Sequence, residues 1–561
     1  MDKKFDVAIV GCGFSGMLCA HFLRESGVNN FCVLEMGAGL GGVWSHGGVG
    51  GYPGAACDVP SYTYLPFLDR TGFIPSKKYV NQTEIADYAE RLADHCKIRD
   101  HIRFSRKVLD VTYLDTATWQ LTTWDTANDC AAETITAAHV VCANGPLSSP
   151  RMPEIPGVDR FQGQSFHTAR WDYSVDLRGK RVGIIGTGAS AAQVITSIVD
   201  DVDTLTVFQR TPTWAMPRDD EPTPPEIVDA FKTGGYSEKL RHVDWQGNSP
   251  PDPEALFTFD MLHDEEQNAA ICAGIAKRIR KEVEDPELAE LLTRTTRFCK
   301  RVLFIDDYYS TFNKPHVTLI NDPGGVVSVS ETGVVMASGD QHDVEVLIFA
   351  TGFDSNHIPF PVTGRDGKTL ADEFGANEAN NFQMTRPKSL WGLHVGNMPN
   401  FYMMIGPQSL NPVTNVTLLC EEQAKYIAGL VSSMHSQGHS EVEPTQAAIN
   451  DWTERCKVSS DGKVWLRCNN WYMKSTKTDQ QAGRERSQGM WMESYEDYLK
   501  HLLGAEGGGA ERLLTFSKNQ RPIKSGVFLR SVRRCLTACA KFSNNGCVSL
   551  QATHASVMLC P

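Results

Sequence analysis

The apolar residues of this chain gather in short dense runs. Phe5-Asp6-Val7-Ala8-Ile9-Val10, Phe31-Cys32-Val33-Leu34, Arg181-Val182-Gly183-Ile184-Ile185, Leu205-Thr206-Val207-Phe208 and Val346-Leu347-Ile348-Phe349 read as strands buried on both faces, as in a parallel sheet covered by helices. A helical pattern from Met17 to Ser26 joins the first pair, and another from Ala192 to Val199 joins the next. Trp119 to Trp124 alternates apolar and polar side chains, the mark of a half-buried strand, and Phe104–Val108 and His139–Gly145 read as further strands. Helices are expected at Asn81–Asp94 and Glu421–Ser432. Pro146, Pro150, Pro153 and Pro156 mark a crossover between domains. Residues 219–295 are rich in charge, open with prolines and then turn helical. The clearest start there is Asp285-Pro286, an N-cap followed by proline at the first helical position, running on to Thr295.

Two of these strand–helix joints carry glycines. Gly11-Cys12-Gly13-Phe14-Ser15-Gly16 follows the first strand, and Gly186-Thr187-Gly188-Ala189-Ser190-Ala191 follows the strand at Arg181. In full βαβ context these are G-x-G-x-x-G/A fingerprints: glycine allows a tight turn and close approach to a pyrophosphate, which sits on a helix N-terminus. The strand after the first fingerprint ends at Glu35, about 20 residues on, placed to accept hydrogen bonds from a ribose. An acid there repels a 2′-phosphate, so the site suits FAD or NAD. The strand after the second ends in Gln209-Arg210-Thr211 with no acid, and the Arg210 guanidinium suits a 2′-phosphate. The second site therefore suits NADPH.

At 561 residues the chain should form two or three domains, and its net charge of -13 argues against a general nucleic-acid binder. The 16 cysteines contain no C-x-x-C, which disfavours a redox dithiol or zinc ribbon, so no metal is expected. No apolar run reaches the roughly 18 residues of a membrane span. Met1-Asp2-Lys3-Lys4 before an apolar stretch superficially suggests a signal peptide, but Asp6 and the glycines fit a strand and phosphate loop better. The expectation is a soluble cytoplasmic protein, monomeric or weakly oligomeric.

The most specific stretch lies between the fingerprints. Phe161, Gly163, His167, Trp171 and Asp172 spell F-x-G-x-x-x-H-x-x-x-W-D, which resembles the signature of type I Baeyer–Villiger monooxygenases. Gly41-Gly42-Val43-Trp44 and Tyr52-Pro53-Gly54-Ala55-Ala56-Cys57-Asp58 resemble that family's G-G-x-W and Y-P-G-x-x-C-D segments, which pass the flavin ring. Lys300-Arg301…Asp307-Tyr308-Tyr309 resembles its K-R-x…D-Y-Y segment, and Ala350-Thr351-Gly352-Phe353-Asp354 its A-T-G-F-D segment. The resemblance covers roughly residues 5–500. It implies an α/β fold of two Rossmann-like dinucleotide-binding domains, with a discontinuous FAD domain (1–150 and 341–503) around an NADPH domain (151–340) that carries the helical insertion 219–295.

The activity implied is oxygen insertion beside a ketone carbonyl, giving an ester or lactone from FAD, NADPH and O₂ through a C4a-peroxyflavin. Arg301 becomes the catalytic arginine, whose permanent charge stabilises an anion, and Asp58 orients it. FAD is expected against Gly11, Gly13, Phe14, Ser15, Gly16, Glu35, Val43, Trp44, Asp58, Tyr64, Val108 and Val416. NADPH is expected against Gly186, Thr187, Gly188, Ala189, Ser190, Ala191, Gln193, Gln209, Arg210, Lys300 and Trp471. The fingerprint residues Phe161, Gly163, His167, Trp171 and Asp172 read as a hinge, with His167 and Trp171 coupling cofactor binding to domain rotation.

Three departures from the family pattern stand out. Ala56 replaces the usual arginine two residues before Asp58, Asn144 replaces a threonine, and the loop after Trp471-Tyr472 lacks its glycine, asparagine and Pro-Gly. Gln488-Gly489-Met490-Trp491 to Leu502 reads as a final strand and helix. From Gly504 to Pro561 the chain has no periodic apolar face and reads as a loose tail. Two rival readings stand beside this one. A nitrogen- or sulfur-oxygenating relative usually lacks the Trp-Asp pair after the histidine, and a catalytically silent dinucleotide binder would consume no NADPH.

Overall fold

The βαβ unit is realised twice, once at each glycine fingerprint. The computed structural model describes residues 3–46, 51–114, 116–245, 264–293, 297–298, 303–353, 358–375, 388–409, 415–467, 490–504 and 512–518. Lys300, Arg301, Asp354, Trp471, the 473–479 loop and most of the chain after Gly504 lie outside these residues.

The first part of the chain runs through β1 (Lys3–Val10), α1 (Phe14–Glu25), β2 (Phe31–Leu34), the short helices α2 (Ser61–Tyr64) and α3 (Leu68–Thr71), and α4 (Gln82–Cys96). Asn81 caps α4, its side-chain oxygen accepting the Glu84 N–H at 3.0 Å, a contact that typically contributes about 1 kcal/mol. β3 (Ile102–Arg103), β4 (Arg106–Leu114), β5 (Thr118–Asp125) and β6 (Cys130–Cys142) follow. β1 lies parallel between β2 and β6, while β4, β5 and β6 form an antiparallel meander. The buried Val7, Ile9, Val33 and Val141 explain the unbroken apolar runs, since helices cover the sheet.

The chain then leaves this sheet for a second one. β7 (Gln164–His167), β8 (Arg181–Ile185), α5 (Ala189–Ile198) and β9 (Thr204–Gln209) precede a long excursion: β10 (Ala215–Met216), α6 (Pro225–Thr233), α7 (Tyr236–Trp245), α8 (Glu265–Glu282), α9 (Pro286–Leu292) and β11 (Leu303–Phe304). β12 (Val317–Asn321), the small meander β13 (Val326–Val329), β14 (Gly333–Met336) and β15 (Gln341–Asp343), and β16 (Val346–Phe349) complete it. The second sheet is all parallel, in the order β12-β9-β8-β16-β7.

The return crossing runs beside the outward one: Pro150 bridges Phe353, and the Arg151 N–H donates to the Gly352 carbonyl at 2.9 Å. β17 (Val362–Thr363), α10 (Leu370–Phe374), β18 (Phe401–Met403), α11 (Val416–Gln437), β19 (His439–Pro444), α12 (Gln446–Ser460), α13 (Tyr495–Leu502) and β20 (Leu514–Lys518) follow. β17 pairs with β4, and β18 pairs with the last three residues of β6. The thirteen-residue β6 is thus long enough to serve β5 with its first part and β18 with its end. α11 packs along α1 and closes the first core around Leu18, Ala424 and Ile427.

The helical excursion divides its packing. Ile271, Ile275 and Ile279 of α8, spaced four apart, join the core under the second sheet with Val194 and Ile195. Phe231 of α6 belongs instead to the first core, against Tyr62 with ring centroids 5.8 Å apart.

Four expectations need correction. α9 stops at Leu292, short of Thr295, where Thr293 turns extended and its N–H closes on the Ala289 and Glu290 carbonyls. α11 starts five residues before Glu421, because Asn415 caps it by accepting the Thr417 N–H. Residues 490–492 form no strand: hydroxyls hold them, with the Met490 N–H donating to Ser460 Oγ and the Met492 N–H to Ser459 Oγ, both at 3.1 Å. The loose-tail expectation fails over residues 514–518, which pair antiparallel with β19 and bury Leu514. β19 offered an open edge whose backbone groups a passing segment satisfies.

Candidate active site: two glycine cradles and the seam between them

The first cradle is built by backbone contact. Gly11 has φ +103°, and a Cβ on it would lie 2.6 Å from the Ala143 carbonyl oxygen. A Cβ on Gly16 would lie 2.0 Å from the Gly11 oxygen, so α1 meets β1 too closely for any side chain. A Cβ on Gly13, the N-cap of α1, would lie 3.6 Å from Gly42 Cα. The unpaired N–H groups of the first turn of α1 open here. Glu35 ties the end of β2 to the loop: Oε2 accepts the Cys12 N–H at 2.8 Å and Oε1 the Gly37 N–H at 2.7 Å. The Trp44 indole donates to Tyr64 Oη at 2.7 Å, Phe14 meets the Tyr64 ring edge-on at 5.9 Å, and Ser15 Oγ lies 3.1 Å from Cys420 Sγ in α11. Half-buried Val43 sits in the turn before Trp44, and half-buried Val416 opens α11. Of the residues expected against FAD, these lie around the first cradle and Asp58 lies in the seam beyond it, whereas the side chain of Val108 lies in the core beneath the sheet at 5% exposure.

The second cradle repeats the geometry with a different end. Gly186 has φ +116°, and a Cβ there would meet the Ala350 oxygen at 2.5 Å, while Gly188 faces open space. Ala191 takes the third glycine's place fully buried, Thr187 Oγ1 donates to the Thr211 carbonyl at 2.9 Å, and Ala189 starts α5. At the end of β9, Gln209 turns inward. Its Nε2 donates to the Leu291 carbonyl at 2.8 Å and to Asn321 Oδ1 at 2.9 Å, so the side chain is not brought to the cradle. Arg210, the next residue, alternates outward and is exposed, its stem lying along Gly325. It makes no ion pair with any described residue.

Between the cradles runs a seam. Gly54 packs so tightly on α5 that a Cβ would lie 2.0 Å from Ser197 Oγ. Tyr52 Oη donates to Gln193 Oε1 at 2.9 Å and accepts from Ser190 Oγ at 3.1 Å, while Gln193 Nε2 donates to the Ala56 carbonyl at 2.9 Å. Burial pushes the Tyr52 phenol up to about 12, keeping it a neutral donor. Asp58, half-buried, shares a small cavity with Ala189, Gln193 and Leu303–Ile305. Leu303 follows Arg301 by two residues in the sequence.

A second joint lies beside it. Lys77 pairs with Asp220 at 2.6 Å, the Lys78 N–H donates to the Glu221 carbonyl at 3.1 Å, and Arg218 Nε donates to the Phe304 carbonyl at 3.0 Å. Sequence reading missed Tyr52, Arg218 and Asp220. Only Tyr52 carried a signal, as the first letter of Y-P-G; the others lie in a charged stretch that looks solvated.

Comparison with known proteins identifies this arrangement. A family model for flavin-binding monooxygenase-like proteins matches residues 3–232. A Baeyer–Villiger monooxygenase of Streptomyces coelicolor is 35% identical over 480 residues, covering 83% of this chain and 86% of the relative. The chain belongs to the Baeyer–Villiger monooxygenase family. Among solved structures, OTEMO in complex with FAD and NADP superposes with a TM-score of 0.81 at 28% identity, over 92% of this chain and all of the other. Cyclohexanone monooxygenase from Rhodococcus sp. Phi1, bound to NADP⁺, gives 0.80 at 28% identity over 92% of this chain and 100% of that one.

The stretch that resembles the Baeyer–Villiger signature lies where both crossings meet. Gly163 approaches Glu345 so closely that a Cβ would lie 2.3 Å from its carbonyl oxygen, and Phe161 packs in the small core beside β13. His167 ends β7, accepts the Ala169 N–H on Nδ1 at 3.0 Å, and sits edge-on to Phe353 of the return crossing at 5.9 Å. Burial lowers its pKa, which keeps the imidazole neutral. Trp171 packs on Phe166 at 5.0 Å, Asp172 accepts the Ser174 N–H at 2.9 Å, and Tyr173 Oη donates to the Gly51 carbonyl at 2.6 Å. The signature thus touches both crossings and the loop leading to Tyr52. Among the described residues no helix is long and apolar enough to cross a membrane, and no cluster of His, Cys, Asp and Glu has metal-binding geometry.

Proposed function

We propose that the first cradle holds FAD and the second NADPH, and that the seam between them is where the ketone reacts. The enzyme is an FAD- and NADPH-dependent monooxygenase that uses O₂ to insert one oxygen beside a ketone carbonyl, yielding an ester or lactone. The observation that carries the cofactor assignment is the opposite charge at the two strand ends: Glu35 at the first, and outward Arg210 at the second. The residues present fit both groups, since Gly13 and Gly42 let two backbone turns pack together at the N-terminus of α1 with no side chain between them, and Gly188 faces open space.

Bound FAD supplies oxygen activation, and NADPH supplies the hydride that reduces it. The protein's part is to hold and to polarise. The first-turn N–H groups of α1 and α5 face the two pyrophosphates, Glu35 accepts from ribose hydroxyls, and Arg210 forks onto the 2′-phosphate. Lys300 adds a second cation there. Asp58 orients the Arg301 guanidinium, whose fixed charge stabilises negative charge developing on oxygen without giving up a proton. His167 and Trp171 transmit domain rotation between the crossings. Most described cysteines are buried, which suits a reducing cytoplasm, and the working unit is a monomer or weak oligomer.

The test is incubation of the purified protein with NADPH, air and a panel of cyclic and linear ketones, read by mass. A gain of one oxygen with ester formation is expected. NADPH oxidation giving only hydrogen peroxide, or oxygen transfer to amines and sulfides alone, would overturn the reading.

A further inference from the structure

Helix α2 is a single turn, so its carbonyls find almost no partners within it. All four of its residues are nonetheless buried, from 2% exposure at Ser61 to 7% at Tyr64. The last three carbonyls are met by side chains from far along the chain. Ser237 Oγ donates to the Tyr62 carbonyl at 2.7 Å, and Arg241 Nη1 donates to the Thr63 carbonyl at 2.7 Å. Asn415 Nδ2 reaches the same Thr63 oxygen at 3.0 Å, and Thr417 Oγ1 donates to the Tyr64 carbonyl at 2.5 Å. Ser237 and Arg241 stand four residues apart and share one face of α7.

Arg241 also holds α11. Its Nη2 donates to Glu421 Oε2 at 2.7 Å, with the two side chains 8% and 13% exposed. Lys425 meets Glu421 at 2.8 Å and Glu422 at 2.6 Å. Burial alone would raise the Glu421 pKa, but Lys425 and Arg241 outweigh it and bring the carboxyl down to about 2. One guanidinium therefore joins α2, which carries Tyr64, to α11, which carries Val416 and Cys420.

We propose that Arg241, assisted by Ser237, is a positioning residue for the flavin: it fixes the end of α2 against the start of α11. This rests on the reading of the first cradle as the FAD site. Tyr64 accepts from Trp44 and packs on Phe14, and Cys420 meets Ser15, so a shift of either helix moves the wall of the cradle. Arginine suits the task because its planar fork serves two acceptors on different segments at once; a lysine ammonium would keep one and strain toward the other. The residue is supplied by the helical excursion that departs from the second sheet, so that excursion helps to build the first cradle.

The experiment uses the full chain. Flavin is removed and FAD titrated back to give Kd, with the visible flavin spectrum, Tm, and the share of oxidised NADPH that ends as hydrogen peroxide recorded alongside. Arg241→Met should raise the Kd for FAD about tenfold or more, blur the flavin absorption bands and increase peroxide leakage. Arg241→Lys should recover part of each effect. Ser237→Ala should shift Kd in the same direction, by roughly two- to threefold, and carries the test if Arg241→Met does not fold. Lys232→Ala, at an exposed pair on α6, should change none of these. A lowered Tm with unchanged FAD Kd and spectrum in Arg241→Met, or an unchanged Kd in Ser237→Ala, would overturn the proposal. A wild-type chain that binds no FAD would overturn the reading of the cradle, and this inference with it.

Discussion

The two glycine cradles are the same βαβ device closed by different residues. In the first, three glycines remove every side chain from the joint, and the strand ends in an acid that ties back to the loop through the Cys12 and Gly37 N–H groups. In the second, alanine replaces the third glycine, the residue ending the strand turns into the core, and an exposed cation follows it. Backbone geometry makes both into pyrophosphate sites. In the proposed reading, the residue presented at each strand end, Glu35 at the first and outward Arg210 at the second, sets which cofactor that cradle accepts.

The largest contrast should come from the third position of each fingerprint. Gly16→Ala places a Cβ against the Gly11 oxygen, so soluble, flavin-loaded protein should be lost. Ala191→Gly should cost only about 1 kcal/mol of helix propensity, seen as a Tm lower by a few degrees. A Gly16→Ala protein with normal FAD content would erase this difference.

Next is the charge at the strand ends. Arg210→Ala should raise KM for NADPH by roughly 10- to 100-fold, as expected for losing charge-assisted hydrogen bonds of about 1.5–3 kcal/mol, and leave KM for NADH nearly unchanged. Equal effects on both would remove the 2′-phosphate argument.

Acid should act on the first core. His139, bonded to Tyr402 Oη at 3.2 Å, and His394, bonded to Tyr426 Oη at 2.9 Å, are buried behind the first sheet, and burial holds the pKa of each near 3. Because these folded pKa values lie below the ordinary 6.5, this stability is fully present above pH 6.5 and is lost as pH falls towards 3. Urea unfolding should therefore show stability declining below pH 6.5, and His394→Asn should flatten that slope. An unchanged slope would refute the assignment.

The smallest effect is expected at Gln209→Leu. Its amide serves Leu291 and Asn321, so Tm should fall by the equivalent of about 1 kcal/mol while KM for NADPH holds. A large rise in KM would return Gln209 to the cofactor site.

Much of the cradles was legible because their constraints are local. Gly11 and Gly16 stand five residues apart, and strand–helix–strand order places Glu35 beside them. Asp285 announced its helix for the same reason. Helix ends set by distant partners were less legible, as at α11, and a strand invited by an open edge, as at residues 514–518, left no periodic apolar face to read. Gln209 and Val108 show the other limit: a motif position names a residue but not the side of the sheet its side chain takes.

By itself the sequence determined where the backbone must turn tightly, which segments are buried on both faces, and what charge follows each nucleotide strand. These are demands that a few neighbouring residues meet alone. Only the tertiary structure decided that Tyr52 and Gln193 seal the seam, that the helical excursion divides between two cores, and that Arg241 reaches Thr63 and Glu421, 178 and 180 residues away. A buried donor must be satisfied wherever the fold brings an acceptor, and no local pattern encodes which segment that will be.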